Sequence, residues 1–80
     1  MTNKGKLLEA RAIIFSEKGV PCSEFDIFVR ASRVCASIED DSPHVAYGFY
    51  QRTGILPFYV SKFCDRLLDN HSRQLQLELW

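Results

Sequence analysis

Five side chains in this 80-residue sequence could ligate a metal or act as nucleophile and base: Cys22, Cys35, Cys64, His44 and His71. A structural zinc site needs thiolates and imidazoles at short, paired spacings. Here the cysteines stand far apart, no CxxC pair occurs, and neither histidine falls at a zinc-type offset. A nucleophilic cysteine needs a positioned base, and Cys64 has only Asp65 beside it. Cys35 and Cys64 lie among apolar residues, which predicts small hydrophobes packed in a core. An odd number of widely spaced thiols predicts reduced cysteines in a cytosolic, cytoplasmic protein. A Gly-rich phosphate loop, an HExxH and a GxSxG are all lacking. The residues therefore imply no enzyme and no cofactor.

The remaining polar chemistry is recognition. Ten Lys and Arg balance ten Asp and Glu, for a formal net charge of zero. Binding a phosphate backbone through counterion release favours a basic domain, so neutrality argues against a strong nucleic-acid binder, and equally against an acidic DNA mimic. Apolar residues make up 46% and charged residues 25%, a globular composition. No apolar run approaches the roughly 20 residues that span a bilayer. The basic start, Met1 to Lys6, is followed by apolar residues interrupted by Glu9 and Arg11, which is not a signal-peptide pattern. A chain this short buries only roughly 60% of its unfolded surface, so a second copy or a larger partner would stabilise it.

Four helices are predicted to position these groups. The first runs from about Lys4 to Lys18, with Leu7, Leu8, Ile14 and Phe15 on one face and Gly19 as a left-handed cap. The second is capped by Ser23, with Asp26 three residues on. Its polar stripe is narrow (Asp26, Arg30, Arg33, Ser37) and its apolar positions extend to Ile38, so it is the central helix. Glu39-Asp40-Asp41 breaks the pattern. Ser42 caps a third helix with Pro43 at its first position, reaching about Arg52, with Val45, Ala46 and Phe49 inward. Gly48 inside it suggests close approach of another backbone. Gly54 ends it. Pro57 opens a fourth helix to about Asn70, with Val60, Phe63, Cys64, Leu67 and Leu68 buried. Asn70-His71-Ser72 then reads as a break. In the tail, Leu75, Leu77 and Leu79 alternate with Gln74, Gln76 and Glu78, which predicts a short strand at about 73–79. A lone strand needs a partner, and the simplest is the same strand in a second copy.

The third and fourth helices, about 42–70, resemble the helix-turn-helix family, particularly its winged-helix branch. With Gly54 as the turn glycine, Phe49, Ile55, Val60 and Phe63 fall at the apolar offsets that lock the two helices together. Tyr50 departs from the small residue the family prefers four before the glycine, and one tail strand is less than a full wing. The resemblance implies that the helix starting at Pro57 enters the major groove, presenting Phe58, Tyr59, Ser61 and Lys62. Arg52, Arg66 and Arg73 would then contact phosphates.

These readings predict a mainly α, four-helix compact domain with a helix-turn-helix and a short C-terminal β-strand. The function implied by the resemblance is a small DNA-binding regulator acting as a homodimer. The alternative is a non-enzymatic protein-binding adaptor or inhibitor on the same scaffold, with Phe58, Tyr59 and the tail as its contact surface. Leu75, Leu77, Leu79 and Trp80 would form a protein interface in either case.

Overall fold

Local chemistry at the helix ends sets the architecture. The computed structural model describes residues 2–78, with side chains through residue 74. Helix α1 spans Asn3–Lys18, α2 Glu24–Val34, α3 Pro43–Thr53 and α4 Phe58–Glu78. At the start of α1 the Thr2 hydroxyl accepts the Gly5 N–H at 3.0 Å. At α2, Ser23 and Asp26 cap each other's backbone: Asp26 N donates to Ser23 Oγ at 3.2 Å, and Ser23 N to Asp26 Oδ2 at 3.1 Å. Ser42 Oγ accepts from Val45 N at the start of α3. Gly19 and Gly54, with φ of 70° and 75°, close α1 and α3 in the left-handed conformation that a β-carbon disfavours.

Helix α2 lies centrally, in contact with α1, α3 and α4, while α4 also packs along α1. Among the described residues, consecutive helices α3 and α4 make no close backbone contact. Leu56, in the linker between them, is buried in the core cluster. Leu7, Ile27, Phe28, Val60 and Cys64 are the largest fully buried side chains. Against α2, the Tyr47 ring stands 5.5 Å from Phe25 and 5.2 Å from Phe28, and Tyr50 stands 5.8 Å from Phe28. These tilted and edge-on rings join α2 to α3. Polar side chains tie the turns down. Arg11 Nε donates to the Cys22 carbonyl at 2.7 Å, and Asn3 Nδ2 to the Gly54 carbonyl at 3.2 Å.

Several elements differ from the sequence reading, each for a physical reason. The second helix stops at Val34 rather than near Ile38. Ser37 N donates to Asp40 Oδ2 at 2.7 Å, and Asp40 N to the Ser37 carbonyl at 3.2 Å, so a turn competes with the last helical turn and leaves Ile38 fully exposed. The fourth helix runs through the expected break, and residues 73–78 are helical. Among the described residues there is no strand. No glycine or proline interrupts 70–78, Gln, Leu and Glu are good helix formers, and adding a residue to an existing helix is far easier than nucleating a new element. The strand that would have paired across a homodimer is therefore absent over 73–78. Leu75 and Leu77 lie on helical backbone with their side chains outside the described set, and Leu79 and Trp80 lie outside the described residues.

Two faces are also rotated. In α1 the buried residues are Leu7, Ala10, Ile13 and Ile14, leaving Leu8 and Phe15 exposed. In α3 they are Ala46 and Tyr50, leaving Val45 and Phe49 exposed. The tyrosines win the inward face of α3 because Phe25 and Phe28 offer them aromatic partners. At Gly48 a β-carbon would meet nothing within 4 Å among the described residues outside its own helix, so no neighbouring backbone approaches it. Among the described residues, no helix is long and apolar enough to cross a membrane.

Candidate functional site

The start of α4 separates the residues expected to act together. Phe58 is 81% exposed, whereas Tyr59 is 4% exposed and belongs to the core cluster. Successive helix positions differ by about 100°, and this step carries one ring into solvent and the next under the α2–α3 loop. Tyr59 therefore cannot present its ring to a groove, as the helix-turn-helix resemblance implies, or to a partner; the other reading of this pair, that one of the two rings completes the core, fits Tyr59. Pro57 is half-buried, and its carbonyl accepts from Val60 N at 3.1 Å and Ser61 N at 3.0 Å.

Phe58, Ser61, Lys62 and Arg66 do share one shallow surface along α4, together with Asp65 and Asp69. Half-buried Ser61 is already engaged, its Oγ accepting from Lys6 Nζ at 3.0 Å. Lys6 also pairs with Asp65 at 3.0 Å, which fastens α1 to α4. Exposed Arg66 reaches Cys35 Sγ at 3.7 Å, and Arg73 pairs with Asp69 at 3.2 Å. Arg52 is exposed in the last turn of α3 and Lys62 is exposed on α4. Arg52 and Arg73 do not line the α4 surface that holds the others. Cations and carboxylates alternate along that surface, so its field is mixed rather than positive.

A second feature lies on the other flank of the α4 start. Asp40 and Asp41 of the α2–α3 loop, Ala46 and Phe49 of α3, and Pro57 and Tyr59 together line a cleft of about 220 Å³. The Tyr59 hydroxyl is buried and has no hydrogen-bond partner among the described residues. Burial first, then the negative charges of Asp40 and Asp41, hold its proton above the usual tyrosine range. Sequence reasoning missed this cleft. With Ser37 expected on the second helix, neither the Ser37–Asp40 turn nor its placement near Tyr59 was anticipated.

The candidate nucleophiles are placed for packing. Cys22 and Cys64 are buried, and burial raises both thiols, Cys64 to about 11. Neither is a thiolate near neutrality. Cys35 is half-buried beside Arg66. Exposed His44 has its ring 4.8 Å from Phe25. His71 is half-buried with Nδ1 unpartnered. Among the described residues no three of His, Cys, Asp and Glu come together as metal ligands.

No protein-family model, no curated protein and no solved structure matches this chain.

Proposed function

We propose that this chain is a non-enzymatic protein-binding module whose contact surface is the outer face of α3, the α3–α4 turn and Phe58 at the first position of α4. The observation that carries this reading is a set of exposed apolar side chains there. Val45 is 56% exposed, Phe49 40%, Ile55 57% and Phe58 81%. Val45 and Phe49 stand one helical turn apart on the same side of α3. Scattered exposed apolar residues are ordinary, but a run of them on one helix and the turn after it has the composition of an interface core. Exposed phenylalanines with few rotatable bonds anchor partners at small entropic cost.

Charge supports a protein over a nucleic acid as the partner. On the α4 surface Lys62 and Arg66 are interleaved with Asp65 and Asp69. A phosphate backbone would meet as much repulsion as attraction there, whereas a protein partner can match mixed charges.

Selection of random peptides displayed on phage, panned in parallel on the wild-type chain and on Phe58→Ser, tests the proposal. Peptides retained by the wild type and lost from Phe58→Ser support it, and Lys62→Ala should retain them. Equal retention by wild type and Phe58→Ser, or loss only with Lys62→Ala, would contradict it.

A further inference from the structure

Helix α3 carries a glycine on its outward side that packing within the chain does not require. Gly48 sits inside the helix, where alanine would be the better helix former. A β-carbon there would meet nothing among the described residues outside its own helix. Its neighbours on that side are apolar. Val45, Gly48, Phe49 and Arg52 fall within about 100° of the helix circumference. Val45 is 56% exposed and Phe49 40%. The distance between two packed helices is set by the side chains at their contact, and a glycine there allows the closest approach.

The two ends of this face carry opposite charge. Ahead of α3 stand Glu39, Asp40 and Asp41, all exposed, and exposed Arg52 lies in the last turn of α3. Asp40 is engaged by Ser37, whereas no hydrogen bond or ion pair among the described residues occupies the side chain of Asp41 or of Arg52. Exposed Ile38 precedes the acidic run, and exposed Ile55 and Phe58 follow Arg52. Along the chain the surface therefore reads apolar, acidic, apolar, basic, apolar. Turned end for end, that order complements itself, which is what an isologous two-fold contact needs.

Helix geometry gives the register. A two-fold axis level with Tyr47 places Val45 opposite Phe49 of the second copy, because Tyr47 is their midpoint in sequence. Gly48 then lies about 1.5 Å from the axis along the helix. Arg52 comes level with Ser42 of the second copy, within reach of the Asp41 beside it. Ile55 and Phe58 continue toward the α2–α3 loop of the second copy, which carries Ile38. The pairing makes no use of the tail.

We propose that two copies of this chain pack α3 against α3, antiparallel about Gly48, with Val45 on Phe49 and Arg52 against Asp41 of the other copy. This rests on the protein-binding reading above and names the partner as a second copy.

Sedimentation velocity of the full chain from about 10 µM to about 1 mM tests it, since a contact built on one short helix belongs to the small, transient class. A concentration-dependent equilibrium between monomer and dimer is expected. Val45→Glu and Gly48→Gln should each weaken the dimer by about tenfold or more. Gln is a good helix former, and circular dichroism confirms that each variant stays folded. Arg52→Asp and Asp41→Arg should each weaken the dimer by about fivefold or more, and the double variant, which exchanges the charges, should restore it. A monomer at every concentration would overturn the proposal. So would a dimer indifferent to Val45→Glu and Gly48→Gln, and charge reversals without rescue would overturn the antiparallel register. The peptide selection separates the two levels. A monomeric wild type that retains Phe58-dependent peptides overturns the second copy and leaves the module intact. A dimer weakened as stated, with no peptide retained, upholds the pairing and overturns Phe58 as an anchor for other proteins.

Discussion

Phe58 and Tyr59 are neighbours in sequence, yet the first ring is 81% exposed and the second 4%. One residue of helical rotation separates a surface anchor from a core residue. The two substitutions should therefore have opposite consequences. Tyr59→Ala removes a large buried ring and should cost about 3–5 kcal/mol of stability. Phe58→Ala should change stability by no more than about 0.5 kcal/mol. Urea denaturation of both variants checks this. Tyr59→Phe should be near neutral or stabilising, because the hydroxyl it removes makes no hydrogen bond.

The two helical glycines of α3 and its cap should also part company. Gly54 sits at φ 75°, so Gly54→Ala forces a β-carbon into the left-handed region and should destabilise by about 1 kcal/mol or more. Gly48 is inside a helix with open space where a β-carbon would go. Gly48→Ala should stabilise by about 0.5–1 kcal/mol. Thermal melts of the two variants should shift in opposite directions.

Much of the fold was legible in the sequence because helix ends are set locally. Ser23 with Asp26, Ser42 with Pro43, Gly19 and Gly54 each act on backbone groups within a few residues. The end of α2 was not, since the Ser37–Asp40 turn wins over an apolar pattern that continues to Ile38. Nor was the tail, where alternation of Leu with Gln and Glu resembles a strand but a helix already under way continues through it. The faces of α1 and α3 depend on which neighbour they meet, and periodicity alone does not supply that. At the candidate surface, Lys62 on the wet face of the fourth helix was legible, while which of Phe58 and Tyr59 is exposed, and the meeting of Tyr59 with Asp40 and Asp41, come from packing.

Removing the α2 capping box gives a further test. Ser23→Ala leaves the Asp26 N–H without its side-chain acceptor and should cost about 0.5–2 kcal/mol. Asp26→Ala removes the reciprocal bond to Ser23 N. The double variant should cost less than the sum of the two, as coupled groups do. Chemical denaturation of the three variants measures that coupling.

Stability should fall at alkaline pH. Cys64 has its pKa raised from 9.0 to about 11. In the unfolded chain the thiol ionises above the lower value, while in the folded chain it stays protonated up to the higher. The unfolded state thus binds fewer protons between them, and stability is lost as pH rises. That difference corresponds to roughly 2–3 kcal/mol, most of it lost between pH 9 and 11. Cys22, Tyr50 and Tyr59, raised chiefly by burial, act in the same direction. Denaturation across that range, repeated on Cys64→Ala, should show a shallower decline in the variant. Half-buried Cys35 should react with a thiol reagent before buried Cys22 and Cys64.

The most direct test of the protein-binding surface is fluorescence anisotropy of one labelled peptide from the selection, titrated with the wild-type chain and with Phe58→Ser. If the α3–α4 turn is the contact surface, the wild type binds and the variant binds about tenfold or more weakly, with unlabelled random-sequence DNA duplex failing to compete at low salt. Equal affinity in the two proteins would contradict that surface. Displacement of the peptide by duplex in a steeply salt-dependent way would assign it to phosphate contact instead.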